Sequence, residues 1–246
     1  MNKFFSNIIV TGSEGFIGKH LVAYLQSLGI TVWCVDKKIN IPITEVENIL
    51  SQHKIDAVIH LAAQSSVFGD DKNSMVDDNI KAFINVCDAC KKHNVKFVYA
   101  SSVFADKDNI SSLYGLTKHF DEEYAKLHNS NAVGIRFCNV YDMECFHEGS
   151  LIWHIINDSN LVLYNNGNNV RHFTCLDNVV KCIYKSLTET ENIVNCVNPN
   201  SMTIKEFTDM VLKYHKISKA YTCEPTTREF DSPTQFIDFS LKNIYE

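Results

Sequence analysis

The sequence predicts an α/β protein, a doubly wound parallel sheet (Rossmann) with a small, truncated C-terminal substrate lobe. Two observations carry this. Apolar strand-like runs alternate with helix-like stretches from residue 7 to residue 136, and the first run ends in three glycines spaced three apart just as a helix begins.

The first strand is read at 7–11, Asn7-Ile-Ile-Val-Thr11, and Gly12, Gly15 and Gly18 follow it. Their spacing fits a tight turn at Gly12, close approach of a pyrophosphate to the backbone at Gly15, and close packing of helix on sheet at Gly18. The phosphate would lie on the free N–H groups of a helix starting near Phe16, where the helix dipole favours an anion. A plain glycine-rich strand-to-helix turn has the same pattern, so a second feature has to agree.

The next elements are a helix at 16–28, a strand at 31–35, a helix at 44–53, a strand at 57–61, a helix at 73–93, a strand at 96–100, a helix at 113–128 and a strand at 132–136. Ile8-Ile-Val, Ala57-Val-Ile and Phe97-Val-Tyr are unbroken apolar runs, as strands buried on both faces are. After Cys138 the regularity breaks. A helix at 150–158, a strand at 161–164 and a turn in Asn165-Asn-Gly-Asn-Asn169 lead to a strand at 171–175, a helix at 177–188, a strand at 193–197, a helix at 203–215 and an irregular tail. The expected domains are a nucleotide-binding body of 1–139 plus 171–197 and a substrate lobe of 140–170 plus 198–246.

With 246 residues the chain has one substantial core, and a net charge of -6 gives no basic stripe for nucleic acid. Met1–Val10 runs into the glycine turn as a first strand without the cleavage pattern of a signal peptide. No apolar run approaches the roughly 20 residues that span a bilayer, so no membrane partner is expected. Nine cysteines, an odd number, fall mostly within the expected strands and helices, as free thiols do in a reducing cytoplasm. Cys87 and Cys90 form a C-x-x-C in mid-helix with no second ligand pair, which reads as core packing; no metal site is expected.

Asp36 stands at the end of the second strand, eighteen residues after Gly18. A carboxylate there accepts both ribose hydroxyls of NAD and repels the extra phosphate of NADP, although Lys37 and Lys38 soften that choice. The alternative is a turn residue closing the strand. Tyr114 and Lys118 are four apart and share one face of a helix. An ammonium beside a tyrosine stabilises its phenolate, which makes the pair an acid/base device, whereas a solvated helix face is the plainer reading. Lys96-Phe-Val-Tyr-Ala-Ser-Ser102 ends in two hydroxyls at the carboxyl edge of the sheet, where ligands bind, so Ser102 can bond the oxygen that Tyr114 serves.

Taken in order, Thr11-Gly-x-x-Gly-x-x-Gly18, Asp36, His60-Leu-Ala-Ala63, Asn79, Ser101-Ser102, Tyr114-x-x-x-Lys118, Arg136-Phe-Cys-Asn-Val-Tyr141 and Arg171-His-Phe-Thr174 with Asp177 resemble the extended short-chain dehydrogenase/reductases, the NAD-dependent epimerase/dehydratase family of nucleotide-sugar enzymes. The resemblance covers roughly residues 7–210. It implies NAD as cofactor, with Gly12, Gly15, Phe16, Ile17 and Gly18 at its pyrophosphate and Asp36 at its adenosine ribose. Leu61, Ala62, Ala63, Asn79, Tyr114 and Lys118 complete the implied cofactor site. It makes Ser102, Tyr114 and Lys118 the catalytic set and puts Ser102, Asn139 and Arg171 at a nucleotide-sugar substrate. The residues alone read Asn139 as a strand-end cap and Arg171 as a surface cation. His60 reads as a packed, hydrogen-bonded histidine, and His172 is given no role. Relatives often pair through the two long helices, here 73–93 and 113–128, so a homodimer is expected.

The sequence also departs from that pattern. Val103-Phe104 stands where dehydratases carry an Asp-Glu pair, so dehydration is not expected, and the cysteine that epimerase-reductases of the GDP-fucose type place just after the serine is missing. The usual adenine-contacting carboxylate is absent from Ile39–Thr44, the segment from Ser102 to Tyr114 is short, Asp142-Met-Glu replaces Gly-Pro, and the chain stops where relatives continue. What remains is hydride transfer at C4 of a nucleotide-activated sugar. Reduction of a 4-keto sugar leads, 4-epimerisation on a retained NAD is the alternative, and a non-catalytic nucleotide-binding scaffold is a further one.

Overall fold

A computed structural model describes residues 5–65, 72–108, 110–227 and 231–245. Residues 1–4, 66–71 and 109 of the expected body, and 228–230 and 246 of the expected lobe, lie outside them. The chain runs β1 (Asn7–Thr11), α1 (Phe16–Ser27), β2 (Thr31–Val35), α2 (Glu45–Gln52) and β3 (Ala57–His60). It continues through α3 (Lys72–Met75), α4 (Ala82–Lys92), β4 (Lys96–Ser102), α5 (Leu113–His128) and β5 (Ala132–Phe137). The lobe and return are β6 (Val140–Tyr141), α6 (Leu151–Asn157), β7 (Val162–Leu163), β8 (Val170–Arg171), β9 (Thr174–Cys175), α7 (Leu176–Ser186), β10 (Ile193–Cys196), β11 (Met202–Thr203), α8 (Ile204–Tyr214) and β12 (Thr222–Cys223).

Six strands form one parallel sheet in the order β10-β5-β4-β3-β1-β2. The order reverses at β1, which pairs with β2 on one side and β3 on the other, and such a reversal opens a crevice at the carboxyl ends of the strands. Strand alternation sorts the core into two layers. Ile8 and Val10 face α1 and α7 with Leu21, Leu25, Val179 and Ile183, whereas Ile9 faces α2 and α4 with Val46, Leu50, Phe83 and Val86. Cys87 and Cys90 are fully buried in the second layer, and burial pushes the Cys87 thiol up to about 12. They pack as the sequence suggests. Across this layer Gly134 faces Tyr99, and a methyl group there would sit 2.6 Å from the tyrosine ring.

A separate cluster of Ile152, Ile155, Leu161, Leu163, Phe173, Phe207, Val211 and Leu212 is the core of the lobe, with the Phe173 and Phe207 rings stacked at 3.7 Å. No helix among the described residues is long and apolar enough to cross a membrane.

Three elements differ from expectation. The single helix at 73–93 is interrupted by a π-helical stretch, Val76–Lys81, between α3 and α4. It carries Asn79, whose buried amide bonds the Gln64 backbone and Thr117, and the wider turn lets that amide leave the helix face. The strand at 171–175 is split, with β8 antiparallel to β11 and β9 parallel to β6, because Phe173 between them turns into the lobe core. The tail is not wholly irregular. β12 pairs with β7, and further on Asn195 N–H donates to Lys242 O while Ile244 N–H donates to Asn195 O. This extends the outer edge of β10, and Ile244 is buried in the first core layer, so 242–244 pack on the body and not on the lobe.

Candidate active site

Gly12 leaves β1 with φ +68°, and a Cβ there would stand 2.6 Å from Ala62 N in the turn after β3. A Cβ on Gly18 would stand 2.1 Å from Gly12 O, so α1 lies against the turn at glycine contact. The tight turn and the close helix packing read from the spacing are therefore both present. Gly15 is the N-cap of α1 and offers no side-chain cap, and the first turn holds no acidic residue, which leaves the first N–H groups for an anion. The two turns are tied together. Leu61 N–H donates to Thr11 O, Ala62 N–H donates to Thr11 Oγ1 at 3.4 Å, and Thr11 Oγ1 lies 2.7 Å from His60 Nδ1. Burial and the nearby Lys118 charge push His60 down to about 3, so the ring is neutral and packed.

A cavity of about 800 Å³ extends from these turns along the carboxyl edge of the sheet. Gly12, Gly15, Phe16, Ile17, Gly18, Leu61 and Ala63 line one end, and Ser102, Tyr114, Lys118 and Asn139 line the other. Ser102 ends β4 and accepts a hydrogen bond from Phe104 N–H at 3.2 Å, capping a short 3₁₀ turn, Val103–Ala105. Tyr114 is in the first turn of α5, which Ser112 caps by accepting from Gly115 N–H. Gly115 packs against Phe104 O, where a Cβ would come within 2.7 Å, so the serine strand and the tyrosine helix meet at glycine contact. One helical turn on, Lys118 is buried with its Nζ 3.1 Å from Asp121 Oδ2.

Behind them is a network that sequence reasoning missed. Arg136 Nε and Nη2 fork onto Glu122 at 2.8 and 2.7 Å, Arg136 Nη1 reaches Asp106 at 2.7 Å, and Ser101 Oγ donates to Glu122 Oε1 at 2.6 Å. It joins β4, β5, α5 and the turn after Ser102. The available signals were the register that sets Ser101 beside Arg136 and the four-residue step from Lys118 to Glu122.

Other expected site residues are spent within the protein. Asp36 accepts from Glu14 N–H and Lys38 N–H, both at 2.9 Å, and does not line the cavity; it braces the glycine turn and keeps one acceptor site per oxygen. Asn79 and Ala62 do not line it either. Asn79 holds Gln64 in the loop after β3, and Ala62 abuts Gly12. Asn139, at φ 24°, lines the cavity but donates to Gln235 Oε1 at 2.8 Å and His172 O at 3.3 Å. Arg171 is not at the cavity: its guanidinium donates to Val170 O, Ser232 O and Asp231 Oδ1. The tail thus engages both residues expected at a diphosphate. Cys145, Phe146 and His147, which the sequence did not single out, face Phe16 across the cavity mouth, with the Phe16 and His147 rings 5.6 Å apart. A smaller cavity of about 210 Å³ adjoins, walled by Tyr141, Phe146, Leu151, Ile152, Phe173 and Phe207.

Comparison with known proteins agrees with this geometry. Protein CapI of Staphylococcus aureus is 31% identical over 72% of this chain and 67% of its own length. A putative UDP-glucose 4-epimerase of Methanocaldococcus jannaschii is 29% identical over 83% of this chain and 81% of its own. The solved UDP-N-acetylglucosamine 4-epimerase of Methanobrevibacter ruminantium M1, in complex with UDP-N-acetylmuramic acid, superposes with a TM-score of 0.80 at 25% identity, covering 97% of this chain and 91% of that one. The profile of the NAD dependent epimerase/dehydratase family matches residues 8–198, and the chain belongs to that family of nucleotide-sugar enzymes.

Proposed function

We propose that this protein moves hydride at C4 of a nucleotide-linked sugar with a retained NAD, and that the overall reaction is 4-epimerisation. One observation carries the hydride-transfer reading: the glycine turn and Ser102, Tyr114 and Lys118 line one continuous cavity. The 4-epimerase names of two relatives, each at least 25% identical, favour epimerisation over 4-keto reduction, to which the sequence argument leaned, although dTDP-4-dehydrorhamnose reductases at 17% and 18% identity share the fold. Buried Val103 beside Ser102, where a dehydratase has a carboxylate, speaks against loss of water.

The residues fit the cofactor. The uncapped start of α1 would take the pyrophosphate, Asp36 with an acceptor site left on each oxygen would take ribose hydroxyls, and Lys118 would serve the nicotinamide ribose. When bound, NAD supplies a hydride acceptor and donor. The rest is the work of this chain. Ser102 Oγ holds the C4 oxygen, and Tyr114 is the general base that takes its proton, with the Lys118 ammonium one helical turn on to stabilise the charge that develops. After the keto sugar turns over so that the opposite face of C4 can receive hydride, Tyr114 returns the proton to the same C4 oxygen. The adjoining aromatic cavity takes the nucleotide half of the substrate, where flat apolar walls suit a base.

The test is to mix the protein as purified with UDP- and dTDP-hexoses and no added cofactor. Epimer interconversion is expected. Consumption of NADH by a 4-keto nucleotide sugar, with no epimer from any hexose, would overturn the epimerase and identify a reductase.

A further inference from the structure

We infer that Asp121 is a positioning residue for Lys118 and Tyr114: its buried carboxylate holds the Lys118 ammonium and sets how much of that charge reaches the tyrosine. The inference rests on the pairing of Lys118 with Tyr114 proposed above, but not on which sugar is turned over.

Tyr114, Lys118 and Asp121 follow one another at steps of four and three residues, so they share one face of α5. The Lys118 and Asp121 side chains are 3% and 0% exposed, with Nζ 3.1 Å from Oδ2. Asp121 Oδ1 accepts no hydrogen bond among the described residues. Such an oxygen is costly, because a buried carboxylate ordinarily fills its acceptor sites.

The neighbours do not help it. Glu122, next on the same helix, is taken by Arg136 from β5 and Ser101 from β4. Burial chiefly, and the Asp121 charge in smaller part, pushes Tyr99 from β4 and Cys87 from α4 up, and the buried Tyr99 hydroxyl has no partner among the described residues. His60 from β3, beside Lys118, is neutral. Lys118 is therefore the cation that compensates Asp121. Burial and, less strongly, Glu122 push the Asp121 carboxyl up to about 7, while Lys118 pulls it down.

An ammonium committed to a carboxylate at this distance is partly neutralised and drawn along the helix away from Tyr114. An ionised Asp121 thus makes the Tyr114 phenolate harder to form, and a neutral side chain there makes it easier. Asp121 divides the Lys118 charge between the fold and the reaction.

The experiment is NMR titration of protein carrying ¹³Cζ-labelled tyrosine, with the Tyr114 resonance identified by its loss in Tyr114→Phe. In Asp121→Asn the Tyr114 midpoint is expected to fall by about one pH unit. The fall is expected to disappear when Lys118→Met is added. A folded Asp121→Asn protein with an unchanged Tyr114 midpoint, or a shift that survives Lys118→Met, overturns the inference.

A second measurement needs no change at Asp121. With the aspartate carboxyl carbons labelled, Asp121 is expected to titrate well above ordinary aspartates, and higher still in Lys118→Met. A midpoint indifferent to Lys118→Met overturns the inference equally. Absence of turnover on every nucleotide sugar, with both titrations as expected, would sink the proposed reaction and leave this inference standing.

Discussion

Tyr114 is half-buried at the cavity edge, and its phenolic oxygen is the one atom that Tyr114→Phe removes. Turnover in that variant is expected to fall about 10²- to 10⁴-fold with NAD affinity and melting temperature unchanged, since general acid/base catalysis supplies about that factor. Steady-state kinetics beside calorimetric binding checks it. Asp121 carries a pH prediction. Burial pushes its carboxyl up to about 7, so the folded protein binds that proton more tightly than the unfolded chain does. Its contribution to stability is complete below about pH 4, where unfolded aspartates titrate, and is lost as pH rises through about 7. Over that window the wild type is expected to lose melting temperature relative to Asp121→Asn, which thermal melts across pH will show. Among single residues, Gly12, Gly18, Ser102, Tyr114 and Lys118 were legible because their motifs, weak one by one, together resemble the family pattern in order along the chain. The partners of Arg171 and Asn139 were not, because Asp231 and Gln235 lie 60 and 96 residues further along the chain.

The contact between α1 and the turn after β1 leaves no room for a side chain at Gly18. Gly18→Ala would force a methyl group to 2.1 Å from Gly12 O, so helix and turn must separate. The expected result is lost NAD binding and a stability cost of about 1–3 kcal/mol, as overpacking typically gives. The four elements around the serine edge meet at Arg136, whose side chain is 10% exposed. Arg136→Met leaves Glu122 and Asp106 without their cation, and breaking a buried pair in this way costs about 3–5 kcal/mol. Denaturant unfolding measures that loss. The alternating strands and helices were readable because strands buried on both faces are apolar throughout. The π-helical stretch at Asn79 and the split at Phe173 were not readable, since each follows from a partner in another element.

The molecule as a whole is a six-stranded nucleotide-binding body with a lobe over its carboxyl edge; the alternation of strand and helix made the parallel sheet legible, whereas the strand order with its reversal at β1 comes from the structure. The tail was the illegible part: it satisfies Arg171 and Asn139 and then returns to the edge of β10, and none of these contacts has a local signature. α5 exposes Leu116 at 51% and Leu127 at 77%, three turns apart on one face. Pairing of two chains through α4 and α5 would cover them, so light scattering at micromolar concentration is expected to give twice the chain mass, and a monomer would count against it. The central claim is hydride transfer at C4 and return to the same carbon. It is tested most directly with a nucleotide hexose deuterated at C4, epimerised in ordinary water and read by NMR. The account predicts that the epimer keeps its deuterium; an epimer carrying solvent hydrogen at C4 would contradict it.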